Sequence, residues 1–136
     1  IQTGVQKFKS MKKTFITLLL TLLTSISFSE NYADAYSVSI GTRKNASYKF
    51  DWSEPEVVSP PIVIFFDDKD ITIYSKETQY YQTLFPQHET GEHGFYWNAI
   101  DKNMNRCKVY FFLTNPCIVA VEYNDLCVMY EVIVRD

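Results

Sequence analysis

The sequence lacks the motifs that mark common catalytic and nucleotide-binding sites. It has no glycine-rich phosphate-binding loop and no G-x-S-x-G nucleophile turn, and the whole chain contains only four glycines. A helical period is also missing after residue 29, since no stretch of a dozen residues repeats its apolar positions every three or four residues. These absences argue against an enzyme and against a helical fold, and they leave an all-β domain.

Close cysteine pairs are missing as well. The chain has three cysteines, Cys107, Cys117 and Cys127, and an odd number leaves at least one thiol unpaired in an exported protein. Zinc sites use close pairs such as C-x-x-C, which do not occur here. We expect the three cysteines to act as small apolar packing residues.

Basic residues are scarce in the part of the chain that follows residue 29. Residues 30–136 contain nine lysines and arginines against 16 aspartates and glutamates, a net charge of −7. The basic residues form no stripe or cluster in the sequence. Because a chain this acidic is repelled by phosphate backbones and by anionic membrane surfaces, we predict no nucleic acid partner.

Residues 11–29 have the three parts of a secretory signal. Two lysines precede an apolar stretch at residues 15–26, residues 27–29 form a small-x-small cleavage site, and residues 33–35 offer a second one. The apolar stretch is well short of the roughly 20 residues that a bilayer span needs, so we predict cleavage and no stable membrane span. No lipobox cysteine follows it. We therefore predict an upstream extension at 1–10, a signal peptide at 11–29 and a single domain at 30–136, secreted or periplasmic.

Strand-forming residues are densest in residues 62–81, IVIFFDDKDITIYSKETQYY. β-Branched and aromatic residues dominate this segment. Short polar turns at residues 67–70 and 75–78 are predicted to separate three strands within it. Upstream, residues 36–40 and 48–52 alternate apolar and polar residues, and they predict a first hairpin that buries one face of its second strand. The residues on that face are Tyr48, Phe50 and Trp52.

Two segments are predicted to interrupt the strands. Pro55, Pro60 and Pro61 lack the N–H that a sheet ladder needs, so residues 53–61 are expected to form a loop or a frayed sheet edge. Residues 86–94, PQHETGEHG, are the most polar part of the domain and are expected to form its longest connection.

The last hairpin has a predictable register. Asn124 and Asp125 tolerate the positive φ of a two-residue turn, which fixes the pairing of the strands on either side. The pairs predicted on one apolar face are Tyr123 with Leu126, Val121 with Val128, Val119 with Tyr130 and Cys117 with Val132. This register places Cys117 and Cys127 on opposite faces and disfavours a disulfide between them.

The hairpin before it depends on the length of its turn. If residues 115–116 also form a two-residue turn, Tyr110 and Phe112 join the apolar face and Cys107 does not. Altogether, eight or nine short strands with turns every eight to twelve residues predict an all-β fold. We expect a small antiparallel meander of about eight strands after an N-terminal signal helix, either an up-and-down, lipocalin-like barrel or a sandwich. The meander order favours the barrel.

Several structural motifs are spread along residues 30–136. They are a tryptophan near the second strand, the I-x-I-x-S strand at residues 71–75, Gln79-Tyr80, the aspartate turn and cysteine strand at residues 101–107, and Tyr130-Glu131-Val132. Together with the signal peptide, they resemble small secreted β-domain proteins of gut anaerobes of the Bacteroidetes type. The resemblance implies an exported single β domain, and it implies no particular activity because the motifs are structural.

Both histidines of the chain lie within residues 86–94. His88, Glu89, Glu92 and His93 have the imidazole and carboxylate groups that suit zinc and similar ions. The zincin motif, however, places two histidines four apart on a helix, whereas these are five apart with a glycine between them. An ordinary solvated loop explains the same residues, so we favour the loop and expect no cofactor.

Aromatic residues are what the sequence has in excess, with ten tyrosines, ten phenylalanines and two tryptophans. Neighbours such as Tyr80-Tyr81 and Tyr96-Trp97 cannot both face the core of a sheet, so some rings line a second interior or lie exposed. We therefore predict a non-enzymatic binding or interaction module for a protein, a glycan or a small apolar ligand. The residues predicted to bind are Trp52, Tyr80, Tyr81, Tyr96 and Trp97.

Two alternative functions fit the same pattern. A lipocalin-like carrier would hold a small apolar ligand in a pocket lined by some of the rings. A structural component of an envelope assembly would use exposed rings at contacts with its neighbours. In the simplest case the aromatic residues only pack.

Overall fold

Nine strands follow one another along the described residues, which are 31–67 and 69–135 of a computed structural model. They are β1 (Asn31–Thr42), β2 (Asp51–Trp52), β3 (Glu56–Phe66), β4 (Asp70–Tyr74), β5 (Thr78–Thr90), β6 (Gly94–Asp101), β7 (Arg106–Phe112), β8 (Cys117–Glu122) and β9 (Leu126–Val134). These residues contain no helix, and hence none that could cross a membrane. The predicted upstream extension and signal peptide lie outside them.

Eight of the strands close into an antiparallel barrel. The order around the barrel is β1, β3, β4, β5, β6, β7, β8 and β9, and β9 returns to pair with β1. This seam runs from Leu126 opposite Thr42 to Val134 opposite Ala33. The predicted all-β meander is confirmed, and it is a barrel rather than a sandwich.

Alternate residues of the strands fill the inside of the barrel. The largest side chains that are fully buried are Ile64, Ile73, Phe95, Val109, Phe111, Val119 and Val121. All are β-branched or aromatic, the types that pack well on a pleated surface. Burial of each such side chain contributes about 1.5–3 kcal/mol relative to leaving it in water.

Two contacts join opposite walls of the barrel. Strands β3 and β7 lie four places apart in the eight-strand order, and the rings of Phe66 and Phe111 stack with their centroids 5.5 Å apart. Strands β5 and β9 are likewise opposite, and Gln79 Nε2 donates a hydrogen bond to the Tyr130 hydroxyl at 3.2 Å. We refer to these two as the cross-barrel contacts. They fill the barrel across its diameter, as the side chains of small barrels commonly do.

The predicted register of the last hairpin is confirmed. The pairs are Val121 with Val128, Val119 with Tyr130 and Cys117 with Val132, and the Tyr123 N–H donates to the Leu126 carbonyl at 2.7 Å. Cys117 and Cys127 face opposite sides of the sheet, and all three cysteines are free thiols. The predicted length of the turn is therefore correct, but the predicted backbone is wrong, because neither Asn124 nor Asp125 has a positive φ.

The predicted register of the hairpin before it is wrong by one residue. Phe111, rather than Phe112, pairs with Val119, because the turn is one residue longer than predicted. A slip of one residue moves every side chain to the other face. Tyr110 and Phe112 therefore face outward, and Cys107 faces the interior.

The predicted first hairpin is present only in part. Strand β2 has two residues, Tyr48 lies outside any strand, and the Trp52 side chain is 45% exposed, so the prediction of a buried face is wrong. The physical reason lies at Gly41, which pairs with Trp52. A Cβ added to Gly41 would lie 2.9 Å from Trp52 Cε3, so the indole ring occupies the space above the glycine on the outer surface of β1.

The two predicted interruptions are also strand segments. Strand β3 runs through Pro60 and Pro61, and β4 pairs only with its residues 63–66, so the prolines lie beyond that ladder. Strand β5 continues to Thr90, and the expected long connection is reduced to a turn at residues 91–93. Gly91 has a φ of 69° in this turn, a conformation that glycine adopts without strain.

Candidate functional site

Outward side chains of the strands from β5 to β9 and of β1 form two adjoining rows, because directly opposed residues of neighbouring strands face the same side. The first row consists of Leu84, Asn98, Lys108, Glu122, Cys127 and Gly41. The second row, which we call the tyrosine row, consists of His88, Tyr96, Tyr110, Ala120, Met129 and Ser39. Charged and aromatic side chains therefore lie next to each other on the outside of the barrel.

A cleft with a volume of about 470 Å³ lies against the first row. Its lining consists of Arg43, Ala46, Asn98, Arg106, Cys107, Lys108, Tyr110, Glu122, Tyr123 and Asn124. Three of these residues are cations and one is an anion. The cleft therefore carries an excess of positive charge, although residues 30–136 have a net charge of −7.

Arg43 fixes the loop that forms one wall of the cleft. Its Nε donates to the Asn124 carbonyl at 2.8 Å, and its Nη2 lies 3.3 Å from Glu122 Oε2. Its Nη1 donates to the Tyr48 carbonyl at 3.3 Å, and its guanidinium carbon lies 3.9 Å from the centre of the Phe50 ring. The side chain is 12% exposed. Arg43 thus ties the loop after β1 to the β8–β9 turn and compensates the charge of Glu122.

Arg106 and Lys108 supply the remaining positive charge. They alternate with inward residues on β7, so both face outward together with Tyr110. Lys108 Nζ lies 5.1 Å from the centre of the Tyr96 ring. Within residues 31–67 and 69–135, neither cation makes a hydrogen bond or an ion pair. Their charges are therefore open to a ligand.

Closure of the barrel creates this group of cations. The sequence indicated no basic cluster, and that interpretation is wrong in three dimensions. Because β1 pairs with β9 and β9 pairs with β8, the loop that carries Arg43 reaches the strand that carries Arg106 and Lys108. A positive cleft in an acidic domain concentrates an anionic ligand at one place on the surface.

Burial, with a smaller contribution from Glu122, keeps two groups at or beside the cleft neutral. Burial, and then the hydrogen bond and charge of Glu122, raise the pKa of the Tyr110 hydroxyl above its ordinary range. Burial, and then Glu122, likewise raise the pKa of the Cys127 thiol to about 12. Both groups therefore stay neutral near pH 7. The cleft presents two unpaired cations, neutral polar groups and a carboxylate that Arg43 already holds.

The rings of the tyrosine row form a continuous aromatic surface. The centroids of His88 and Tyr96 are 4.8 Å apart, and those of Tyr96 and Tyr110 are 5.1 Å apart. Phe112 lies on the same side of β7, with its ring 5.7 Å from that of Tyr110 and inclined to it by 7°. These spacings are typical of aromatic pairs in contact. The surface joins the cleft at Tyr110.

The five aromatic residues predicted to bind are not brought together. Tyr81 and Trp97 face the barrel interior, where Tyr81 is 4% exposed. Trp52, Tyr80 and Tyr96 face outward on three different strands. Of the five, Tyr96 alone belongs to the tyrosine row.

The residues of the alternative metal site, which the sequence analysis disfavoured, do not converge either. His88 stacks on Tyr96 at 4.8 Å, and Glu89 faces the other side of the strand. His93 Nε2 lies 3.7 Å from Glu92 Oε1 in the exposed turn. No group of three or more His, Cys, Asp or Glu side chains in the described ranges is arranged to hold a metal ion.

A second polar cluster lies inside the barrel. The Tyr81 hydroxyl donates to Gln79 Oε1 at 2.6 Å, and the Tyr123 hydroxyl donates to Asp101 Oδ2 at 2.7 Å. The pKa values of both tyrosine hydroxyls are raised above their ordinary range, and burial is the largest cause. Burial also raises the pKa of the Cys107 thiol to about 11. Because both hydroxyls already have acceptors, this cluster stabilises the interior rather than offering a site.

Part of the cleft had a signal in the sequence that the sequence analysis missed. Arg106, Lys108 and Tyr110 alternate along one strand, and period 2 places them on one face. Arg43 and Glu122 had no such signal, because their places depend on the closure of the barrel.

Comparisons with known proteins add nothing to this geometry. No protein-family model matches the sequence, and neither the curated proteins nor the solved structures contain a match. The resemblance to secreted β-domain proteins of the Bacteroidetes type stays a prediction.

Proposed function

We propose that this domain is an exported, non-enzymatic binding module that holds its ligand on the outer surface of the barrel. The cleft carries the proposal, because it gathers Arg106 and Lys108 beside side-chain amides and aromatic rings in an open depression of about 470 Å³. Its lining combines cations, side-chain amides and aromatic rings, so it can both orient a ligand and bury apolar area. The tyrosine row extends this surface beyond the cleft.

The chemistry of the cleft supports binding rather than catalysis. A cysteine nucleophile needs a thiolate, whereas burial raises the pKa of Cys107, the cysteine that lines the cleft, to about 11. The Glu122 carboxylate lies 3.3 Å from Arg43 Nη2 and is therefore already engaged as a structural partner. Neither histidine belongs to the lining of this cleft.

The cross-barrel contacts favour the outer surface over the interior as the place of binding. A lipocalin-like carrier needs a cavity along the barrel axis. Here the rings of Phe66 and Phe111 stack at 5.5 Å between opposite walls. Separating such a buried aromatic contact to admit a ligand would cost roughly 3–5 kcal/mol, judged by the cost of deleting a buried ring.

Export is the part of the proposal that depends on residues 11–29. The full chain can be expressed in a Gram-negative host, and the exported product can be isolated from the periplasm and the medium. An N-terminus at or near residue 30 supports export with cleavage. A product that stays in the cytoplasm at full length contradicts it.

Binding at the tyrosine row is tested with Tyr110→Ala, and Tyr80→Ala is the matched control. Both variants remove an outward tyrosine, but the Tyr80 hydroxyl donates to Asp70 Oδ1 at 2.6 Å and the residue lies outside the cleft. Wild type and variants are applied to glycan and peptide arrays. Loss of the wild-type signal in Tyr110→Ala alone supports the proposal, whereas equal loss in both variants, or in neither, contradicts it.

A structural role in an envelope assembly is a second candidate, and Phe85 favours it. Its side chain is 96% exposed, at the point where the β5–β6 register is irregular. An apolar ring this exposed is suited to contact with a neighbouring protein. A photo-crosslinking amino acid at position 85 should then capture a discrete partner in the envelope, and no specific product would count against this role.

A further inference from the structure

Two cations in the cleft have no hydrogen-bonding or ion-pair partner among the described residues, although Lys108 Nζ lies 5.1 Å from the centre of the Tyr96 ring. Arg43 is already paired with Glu122 at 3.3 Å, whereas Arg106 and Lys108 form no hydrogen bond or ion pair within the part of the chain that the structure describes. An anion that enters the cleft therefore gains charge-assisted contacts without breaking an existing ion pair. Arginine can hold a carboxylate or a sulfate through two parallel hydrogen bonds, and lysine adds a mobile point charge.

The neutral groups beside these cations fit a ligand that has both hydroxyl groups and an apolar face. Asn98 is directly opposite Lys108 on the neighbouring strand, and its amide can donate and accept hydrogen bonds. Tyr96 and Tyr110, with centroids 5.1 Å apart, supply aromatic area in the adjoining row. A sugar ring carries hydroxyls around its rim and C–H groups on its faces, so it can use the amide and the rings together.

The geometry of the sheet disfavours an extended peptide at this place. Peptides that bind by strand addition need a free sheet edge. Strands β6, β7 and β8 each pair with a neighbour on both sides, so the floor of the cleft has no unpaired row of backbone groups. A nucleic acid would extend past the two cations onto an acidic surface, which repels it.

We infer that the cleft binds an acidic saccharide. The carboxylate or sulfate of one sugar unit lies between Arg106 and Lys108, and the sugar ring lies against Tyr96 and Tyr110. Lys108, now 5.1 Å from the centre of the Tyr96 ring, exchanges that cation–π contact for a stronger contact with the anion. The inference rests on the proposed function and adds the chemical class of its ligand.

Calorimetric titration of the exported protein with three saccharides tests the inference. Trigalacturonic acid presents carboxylates, a heparin tetrasaccharide presents sulfates as well, and galactotriose is neutral. We expect at least one acidic probe to bind roughly tenfold or more tightly than galactotriose, because charge-assisted hydrogen bonds are the stronger ones. Its affinity should fall when the ionic strength is raised from 0.05 to 0.5 M, since salt screens exposed charges.

Charge-removing variants localise the binding. In Arg106→Gln and in Lys108→Gln, the affinity for the acidic probe should fall roughly tenfold. Lys76→Gln is the matched control, because it removes one positive charge from the exposed turn between β4 and β5, outside the cleft. The affinity of the Lys76→Gln variant for the acidic probe should stay within about twofold of wild type, since distant exposed charges are largely screened. All three variants should keep the wild-type melting temperature.

Each other outcome overturns the inference in a distinct way. Equal affinity for acidic and neutral probes, unchanged in the cleft variants, rejects an acidic ligand and leaves the proposed surface binding intact. If none of the three saccharides binds, the saccharide class is wrong, and the Tyr110→Ala array test decides the proposed function separately. A glutamate-rich peptide that binds wild type and weakens in both cleft variants would replace the saccharide with a protein partner.

Discussion

The inner and outer faces of β6 and β7 are both rich in aromatic residues, yet the rings are used differently on the two faces. Inside, the rings of Phe95 and Phe111 meet edge to face at 5.8 Å, and Phe111 also stacks on Phe66 from the opposite wall. Outside, Tyr96 and Tyr110 lie side by side at 5.1 Å on the surface of one sheet. The inner rings join different parts of the barrel, whereas the outer rings join only neighbouring strands.

This difference shows what strand alternation does to an aromatic-rich sequence. An inner ring has packed atoms around it, so its removal leaves a cavity that the structure cannot fill completely. An outer ring borders solvent, so its removal leaves no internal cavity and costs less stability. Its removal mainly alters the shape and polarity of the surface. A high aromatic content therefore indicates a core or a binding surface only after each ring is assigned to a face.

The largest expected effect comes from substituting neighbouring phenylalanines on the two faces of β7. Phe111→Ala deletes a ring that is 1% exposed, and we expect the free energy of unfolding to fall by about 3–5 kcal/mol. Phe112→Ala deletes a ring on the outer face and should cost about 1 kcal/mol. Urea unfolding curves of both variants measure the difference, and equal losses would contradict the assignment of the two faces.

The next largest effect is expected at Arg43, which stabilises the outer face as a core residue would. Arg43→Ala removes three hydrogen bonds and the contact with Phe50, and it leaves the partly buried Glu122 without its cation. We expect a loss of roughly 2–3 kcal/mol in the free energy of unfolding. Glu122→Gln, which keeps the size of the side chain, should cost less than Arg43→Ala. A wild-type unfolding curve for Arg43→Ala would show that this loop is held by other contacts.

Two glycines on the outer face should respond differently to alanine. At Gly94, an added Cβ would lie 2.6 Å from Phe112 Cδ1 and 2.7 Å from the Thr90 carbonyl oxygen, which belongs to the backbone and cannot move freely. At Gly41 the obstacle is the Trp52 ring, which is 45% exposed and can move aside. We expect Gly94→Ala to cost about 1–2 kcal/mol and Gly41→Ala less than about 1 kcal/mol.

Thermal unfolding measures the cost of each glycine substitution, and tryptophan fluorescence, measured in a Trp97→Phe background so that Trp52 is the one remaining tryptophan, reports movement of Trp52. The Gly41→Ala variant should change the emission spectrum with little change in melting temperature. The Gly94→Ala variant should lower the melting temperature with little change in the spectrum. If Gly41→Ala lowered the melting temperature and Gly94→Ala changed the emission spectrum, the result would contradict the view that the Trp52 ring moves aside and that the atoms around Gly94 do not.

The smallest effect is a pH dependence at Asp101, where the inner face meets a turn. Burial alone would raise the pKa of Asp101, but hydrogen bonds from Tyr123 and from the backbone N–H groups of Asn105 and Asn103 lower it below its ordinary value. A lowered pKa in the folded state means that the ionised carboxylate contributes stability above the unfolded-state pKa of about 4. That contribution is lost as the pH falls through the folded-state pKa.

The variant Asp101→Asn isolates this contribution. The difference in unfolding free energy between wild type and variant should be constant from pH 7 to about pH 5 and should shrink at lower pH, where the wild-type carboxylate becomes protonated. Chemical denaturation at a series of pH values measures it. A difference that stays the same down to pH 2 would show that the carboxylate contributes only through the shape of the turn.

Turn length explains which parts of the fold could be predicted from the sequence. The two-residue loop Asn124-Asp125 gave the correct register, although the positive φ expected of these residues is not present. The same rule failed for the turn between β7 and β8, which is one residue longer, and the error exchanged the two faces of β7. Residues 53–61 were predicted to be a loop or a frayed sheet edge, and the second alternative fits Pro60 and Pro61, which lie in β3 beyond its ladder with β4.

The candidate site was less predictable because its parts come from distant segments. Arg106, Lys108 and Tyr110 could be assigned to one face from their alternation alone. Arg43 approaches them only because β9 pairs with β1, which no local pattern indicates. The position of Trp52 likewise depends on the absence of a side chain at Gly41, on another strand.

The seam between β1 and β9 has a consequence for the order in which the chain folds. It pairs residues as distant as Ala33 and Val134, and Arg135 Nη2 holds Asp34 Oδ1 at 2.7 Å across it. Such non-local contacts form late, because the entropy of closing a long loop must be lost before they contribute. Until β9 arrives, β1 keeps an open edge that can pair with another chain. A truncation before Leu126 would leave two such edges, so we expect it to aggregate rather than form a smaller barrel.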